Sequence, residues 1–228
     1  MSATGRGDCR VEHDVYPTPA WCIHRLLERC VLPGGRWIDP CAGDGAIIQA
    51  VSAVRTDVRF DAIELRPECA APLRLLTPRV GIGDFLRGFS FSKPRYDVLL
   101  TNPPYSLAME FIEAGLEVAR TVVMLLRYNF LGSEGRAEFF HERMPHVFGL
   151  PNRPTFSVVM SVDRHGKLRR TTSDATEYAF LRFDRGVRRR RALVEVLDLM
   201  TPEPVLRAAR EAAPVIWTAE AEKLRSAA

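Results

Sequence analysis

The run Thr101-Asn102-Pro103-Pro104-Tyr105-Ser106 is the stretch of the chain best equipped for chemistry. Two consecutive prolines remove two backbone donors and stiffen the chain, leaving its carbonyls free to accept. An Asn amide oxygen and a Pro carbonyl held together form a preorganised acceptor pair for an amino group with two hydrogens. Tyr105 offers a flat face on which a planar substrate can stack. A second stretch, Asp39-Pro40-Cys41-Ala42-Gly43-Asp44-Gly45, sets glycines where a backbone can approach a ligand that a side chain would block. It is neither the GxGxxG of a dinucleotide site nor a phosphate loop followed by Lys-Ser/Thr, which argues against a pyrophosphate-bearing cofactor. Glu64 follows the glycine turn at about the twenty-residue distance at which a carboxylate accepts ribose hydroxyls. Asp84, in Gly83-Asp84-Phe85, can accept from an exocyclic amine while Phe85 lies against a base. Either carboxylate alone is equally a helix cap or a loop charge. At the ends of successive strands they outline an adenosine-bearing pocket.

These residues need a scaffold that brings several turns to one edge, and the hydrophobic pattern supplies one. Apolar residues at helical spacing (Trp21, Ile23, Leu26, Leu27, Cys30) predict a helix over 18–30 that ends before Pro33-Gly34-Gly35. Strands are expected over 36–39, 58–65, 79–82, 96–101 and 121–126, with helices over 46–54, 67–76 and 107–119 between them. Such alternation implies right-handed crossovers and a mostly parallel sheet with both faces covered. Strands near 146–150 and 178–183 bracket a polar segment and are expected to form an antiparallel edge. From Leu193 onward the composition reads as helical, broken at Pro202, Pro204 and Pro214. The expected organisation is a flexible start over 1–15, a catalytic domain over 16–186 and a helical extension over 187–228.

Composition narrows the partners. With 46% hydrophobic and 26% charged residues, the 228-residue chain has enough apolar content for a proper core and is neither a disordered nor a coiled-coil sequence. No run approaches the roughly 18 apolar residues of a membrane span. The start of the chain shows no secretory pattern, and five cysteines make no disulfide framework, so reduced thiols and a cytoplasmic location are expected. The net charge is only +4, yet 143–191 holds twelve Lys/Arg against four acidic residues. That asymmetry suits a side facing a polyanion.

These motifs resemble the class I S-adenosylmethionine-dependent methyltransferases, specifically the small phage-type DNA adenine group that carries Asn-Pro-Pro-Tyr. The Asp-Pro-Cys-Ala-Gly-Asp-Gly turn resembles the cofactor loop of that family. Tyr16-Pro17-Thr18-Pro19 resembles its N-terminal motif, whose backbone and Thr hydroxyl meet the methionine carboxylate. Leu126-Arg127-Tyr128-Asn129-Phe130-Leu131, Pro151-Asn152-Arg153-Pro154-Thr155-Phe156 and Asp174-Ala175-Thr176-Glu177-Tyr178-Ala179-Phe180 resemble later segments, so the similarity spans most of the chain. It implies a Rossmann-like α/β fold with a mostly parallel seven-stranded sheet and helices on both faces. It also implies S-adenosyl-L-methionine as cofactor and double-stranded DNA as partner.

Carried over residue by residue, the resemblance gives the cofactor to Tyr16, Thr18 and Pro19, to Asp39, Pro40, Cys41, Ala42, Gly43 and Gly45, to Glu64 at the ribose, and to Asp84 and Phe85 at the adenine. Asn102, also beside the cofactor, and the Pro103 carbonyl would accept the two amine hydrogens, with Pro104 stiffening the turn and Tyr105 stacked on the base. Direct in-line transfer needs no metal, and no HxE or CxxC zinc pattern is present. A base inside a duplex must be flipped out at roughly a few kcal/mol. Phe156 is then either the second wall of the base slot or a core residue, and Arg153 either holds a phosphate or pairs with a carboxylate. The basic loop 163–172, with Arg164, Lys167, Arg169 and Arg170, is the expected DNA-facing element. The interval from Tyr105 to Phe156, about fifty residues, leaves no room for a separate recognition domain of ~100 residues. Asn-Pro-Pro-Tyr also occurs in RNA adenine methyltransferases and in enzymes that methylate a protein glutamine amide. The glutamine enzymes carry a Gly-Thr/Ser-Gly loop and an N-terminal helical domain, which this sequence lacks. An inactive nucleic-acid-binding module is the remaining alternative.

Overall fold

A computed structural model of the chain describes residues 17–88, 95–156, 158–162, 168–172, 176–198, 215–217 and 226. Helix α1 (Ala20–Arg29) starts after Pro19 and buries Trp21, Cys22, Ile23 and Leu26, the face its apolar spacing predicts. Strand and helix then alternate through β1 (Gly35–Asp39), α2 (Ala46–Ser52), β2 (Val58–Glu64), α3 (Ala70–Leu76), β3 (Val80–Ile82), α4 (Phe85–Gly88), β4 (Tyr96–Thr101), α5 (Ala108–Val118) and β5 (Ala119–Arg127). Pro67 opens a 3-10 turn over Pro67–Cys69 before α3, so the expected 67–76 helix begins as a tighter coil. The chain continues as α6 (Ala137–Glu142), β6 (His146–Gly149), β7 (Val158–Val162), β8 (Leu168–Thr172), β9 (Tyr178–Asp184), β10 (Leu193–Val196) and β11 (Val215–Trp217).

The main sheet has eight strands in the order β10-β6-β9-β5-β4-β1-β2-β3. All run parallel except β9, which pairs antiparallel with both β5 and β6. Several sequence expectations change here. The sheet has eight strands and not seven, because Leu193–Val196 is an edge strand parallel to β6 and not a helix. Its Leu-Val-Glu-Val alternation suits a strand, and Glu195 meets His146 on the neighbouring strand at 2.8 Å. The pair near 146–150 and 178–183 is antiparallel as expected, but it is not an edge, since β9 lies inside the sheet and β10 covers β6. Part of the expected basic loop is also a strand, and so is Val215–Trp217, so the expected helical extension over 187–228 contains two strands. β8 pairs with β7, and β11 adds to β7, in a separate three-stranded sheet.

Alternating residues of the central strands send their side chains to opposite faces. Trp37, Phe60, Val98, Leu100, Val123 and Leu125 pack with α1 and α2. Ile38, Ile63, Leu99, Val122 and Met124 pack with Phe111 and Ile112 of α5 on the other face. Each such side chain, fully buried, contributes about 1.5–3 kcal/mol. Cys22, Cys30, Cys41 and Cys69 are free thiols. Among the described residues no helix is long and apolar enough to cross a membrane. Because the strands are parallel, the residues that follow Asp39, Glu64, Ile82, Thr101 and Arg127 gather along one sheet edge. The antiparallel β9 begins at that same edge with Tyr178, opposite Arg127.

Candidate active site

Asp39 and Thr101 end two adjacent strands, β1 and β4. The Thr101 hydroxyl donates to Asp39 Oδ1 at 2.7 Å, and the Cys41 N–H donates to the same oxygen at 3.1 Å. One carboxylate oxygen thus ties the glycine turn to the residue immediately before Asn102. The other, Oδ2, is buried and has no hydrogen-bond partner among the described residues. Burial pushes the Asp39 carboxyl up to about 7, with Glu64 adding to the rise and the bonds from Thr101 and Cys41 opposing it. Burial and the charge of Asp39 likewise raise the Cys41 thiol well above its usual range, so it is no nucleophile at neutral pH.

The turn itself depends on glycine. Gly43 and Gly45 have φ of +55° and +90°, the left-handed region that costs an L-residue roughly 1–2 kcal/mol. A Cβ at Gly45 would also run into the Leu76 side chain. Glu64, at the end of β2, is 7% exposed and already engaged. Its Oε2 accepts from the Gly43 N–H at 2.7 Å, and its Oε1 accepts from the N–H and Nε of Arg66 at 3.1 and 2.9 Å. The carboxylate therefore builds the turn as well as facing it. Glu64→Ala is expected to cost about 2 kcal/mol, the scale of charge-assisted hydrogen bonds. Thermal denaturation should show this as a fall in Tm of roughly 4–8 °C. An unchanged Tm would mean that the Gly43 and Arg66 contacts contribute nothing to the fold.

The remaining cofactor-side expectations fall differently. Asp84 sits at the same edge but caps α4, its Oδ1 accepting from the Leu86 N–H at 2.9 Å, with Arg87 at 3.4 Å from Oδ2. Phe85 is buried and stacks on Phe111 at 5.6 Å, so its ring belongs to the core under α5. Thr18 is buried and Pro19 precedes α1. Pro40 and Ala42 are buried within the turn, where the Ala42 N–H donates to the Ile63 carbonyl at 3.0 Å. Tyr16 lies outside the described residues.

On the other side of Thr101, Asn102 is half-buried, Pro103 buried and Pro104 half-buried. Pro104 leads into a 3-10 turn over Tyr105–Leu107, closed by the Leu107 N–H on the Pro104 carbonyl at 2.9 Å. The Tyr105 ring lies 5.8 Å from that of Tyr178, which meets Phe156 edge-to-face at 5.1 Å. The Arg127 guanidinium lies over Tyr105, 5.0 Å from the ring centroid. Phe156, at 2% exposure, is a core residue that reaches Tyr105 through Tyr178. Arg153 pairs with Glu177 on the surface, its Nε donating to Glu177 Oε1 at 3.1 Å. Arg169 and Arg170 occupy β8, paired with Ser161 and Met160 of β7. Arg164 and Lys167 lie outside the described residues. Among the described residues no group of three or more His, Cys, Asp or Glu could hold a metal ion.

Four residues of this site carried no expected role in the sequence: Thr101, Arg127 and Tyr178, which stand within its motifs, and Arg66. Thr101 and Arg127 did carry a signal, since each is the last residue of a strand that opens onto the site. Arg66 follows Glu64 by two positions. Only the antiparallel pairing of β9 with β5 brings Tyr178 close.

The chain's sequence matches no family model and no curated protein. Its fold is similar to solved methyltransferase structures. PH1948 from Pyrococcus horikoshii, provisionally assigned as an RNA methyltransferase, is 15% identical with a TM-score of 0.51, covering 80% of this chain and 94% of its own. Atu636 from Agrobacterium tumefaciens, a predicted O-methyltransferase, is 13% identical with a TM-score of 0.52, covering 88% of this chain and 99% of its own. At these identities the likeness establishes the shared Rossmann-like α/β fold.

Proposed function

We propose that this chain is an S-adenosyl-L-methionine-dependent methyltransferase that methylates the exocyclic N6 amine of adenine in DNA. The observation that carries the reading is the Thr101–Asp39 hydrogen bond, which locks the acceptor motif Asn102-Pro103 against the glycine turn. The residues fit the cofactor. Asp39 Oδ2 is a buried acceptor still open to a donor, and Gly43 and Gly45 leave the turn bare of side chains. Glu64 has about four lone-pair sites and three donors on them, which leaves one for a ribose hydroxyl. When bound, S-adenosyl-L-methionine supplies an electrophilic methyl group on a sulfonium.

The chain's own residues then deal with a poor nucleophile. The lone pair of an exocyclic amine is delocalised into the ring. Asn102 Oδ1 and the Pro103 carbonyl, accepting its two hydrogens, draw the nitrogen toward tetrahedral geometry and localise the lone pair. The nitrogen becomes positive as it gains the methyl group, and the same two oxygens stabilise that charge as it develops. The surplus amine proton would then pass to water, with S-adenosylhomocysteine left as the neutral thioether. Tyr105 holds the ring in place. The basic residues of 164–170 attract the phosphate backbone without reading sequence, whereas Arg143, Arg185 and Arg189 lie at the opposite sheet edge, beside the start of β5.

The test is tritiated methyl transfer from S-adenosyl-L-methionine to unmethylated duplex DNA, with total RNA and a bacterial protein lysate as parallel acceptors. Mass spectrometry of the digested nucleosides should identify N6-methyldeoxyadenosine. Label in RNA and none in DNA would move the substrate to RNA, the assignment that PH1948 carries. Label in protein alone would overturn the nucleic-acid reading.

A further inference from the structure

The Tyr105 ring, on which the proposed function places the target base, already carries a planar group. Arg127 is the last residue of β5, directly opposite Tyr178 in the antiparallel ladder, and its guanidinium carbon stands 5.0 Å from the centre of the Tyr105 ring. A guanidinium over a tyrosine face is a favourable cation–π arrangement. It is also flat and delocalised, as a nucleobase is, so it occupies the kind of space that a stacked base needs.

A base stacked on that same face would displace the guanidinium from it. Methyl transfer places a developing positive charge on the amine nitrogen of the stacked base. A guanidinium kept against the same ring would oppose that charge in a site screened from water. A base extruded from a duplex arrives attached to its own phosphates, and Arg127 belongs to the sheet edge across which they must pass. The planar fork of Arg pairs with phosphate oxygens through two parallel N–H bonds.

We infer that Arg127 is a substrate-binding residue with two stations. In the substrate-free protein it covers the Tyr105 face that the target base takes, and on base entry it exchanges that face for a phosphate of the extruded nucleotide. The inference rests on the proposed nucleic-acid substrate. It adds a specific contact to the diffuse attraction of the basic residues of 164–170.

The test uses the full chain with S-adenosylhomocysteine and a fluorescein-labelled duplex that the wild type methylates. Binding is measured by anisotropy across a salt series for wild type, Arg127→Met and Arg127→Lys, alongside kcat, KM for DNA and Tm. Loss of one phosphate contact should make the slope of log K against log salt shallower by about 0.9 in Arg127→Met. KM for DNA should rise about tenfold with kcat within about threefold of wild type, and Arg127→Lys should restore the slope. A merely structural prop for Tyr105 would leave the slope unchanged and lower kcat and Tm, and that outcome overturns the inference. If Arg127→Met does not fold, Arg127→Gln decides by the same slope, since it removes the charge and keeps a polar side chain: a slope shallower by about 0.9 supports the phosphate contact and an unchanged one overturns the inference. A wild type that binds no nucleic acid and transfers no methyl to it sinks the proposed function itself. An unchanged slope in the variant, beside an active wild type, sinks only the role of Arg127.

Discussion

Replacing Asn102 by alanine should lower kcat by about 10²–10³-fold, the scale seen when one preorganised polar group is removed from a reacting centre. Affinity for S-adenosyl-L-methionine should stay within about twofold. The division follows from the local geometry. The Thr101 hydroxyl holds Asp39, and Pro103 and Pro104 fix the chain beyond, so truncating the Asn102 side chain leaves the backbone of both motifs in place. What disappears is one of two acceptors for the amine hydrogens, an interaction that strengthens as the nitrogen pyramidalises and so acts on kcat. Isothermal titration of the cofactor and single-turnover methyl transfer separate the two effects. A loss of cofactor affinity matching the loss of rate would show that Asn102 serves binding and not transfer.

The second large effect concerns pH. Asp39 is buried, with its carboxyl pushed up to about 7 by burial, and one of its oxygens awaits a donor. The charged groups that face it are Glu64, which raises it, and the cofactor that the site would receive. A positively charged ligand beside Asp39 favours its ionised form, so binding should expel a proton near neutral pH. Cofactor affinity should then fall toward tenfold per pH unit below about 7 and level off above it. Titrations in buffers of different ionisation enthalpy measure the proton released. Asp39→Asn should abolish both the pH dependence and the release, with weaker binding throughout. A flat profile from pH 6 to 8 in the wild type would show that Asp39 does not meet the cationic part of the cofactor. The same group has a signed effect on the ligand-free fold. Its folded value lies above the unfolded one, so the native state holds the extra proton between about pH 4 and 7. The stability contributed by Asp39 is present below that window and is lost as pH rises through about 7, where a bound cofactor would compensate.

Much of the scaffold was legible because it rests on local patterns. The run of β1 to β5 and their helices follows from apolar periodicity and from Gly and Pro punctuation, and those strands appear within a residue or two of their expected bounds. The eighth strand was not legible. Leu193–Val196 is short, its composition suits either helix or strand, and it is a strand because β6 offers an unpaired parallel edge. Phe85 shows the same limit at the site. Its place after Gly83-Asp84 fits a wall for a base, but whether the ring turns outward or stacks on Phe111 depends on α5, a helix more than twenty positions away.

By itself the sequence determined which turns could bind and which could accept, because proline, glycine and asparagine act through their own covalent geometry wherever they stand. Asn102-Pro103-Pro104 is rigid and rich in acceptors in any fold, and Gly45 tolerates φ of +90° in any fold. The tertiary structure alone decided which of these turns meet. Parallel pairing of β1 with β4 sets Thr101 on Asp39, antiparallel pairing of β5 with β9 sets Arg127 and Tyr178 at the Tyr105 ring, and the end of β2 sets Glu64 under Gly43. Those contacts join residues some twenty to seventy positions apart. Their existence depends on strand order and register, which arise from burying both sheet faces at once and not from any local preference.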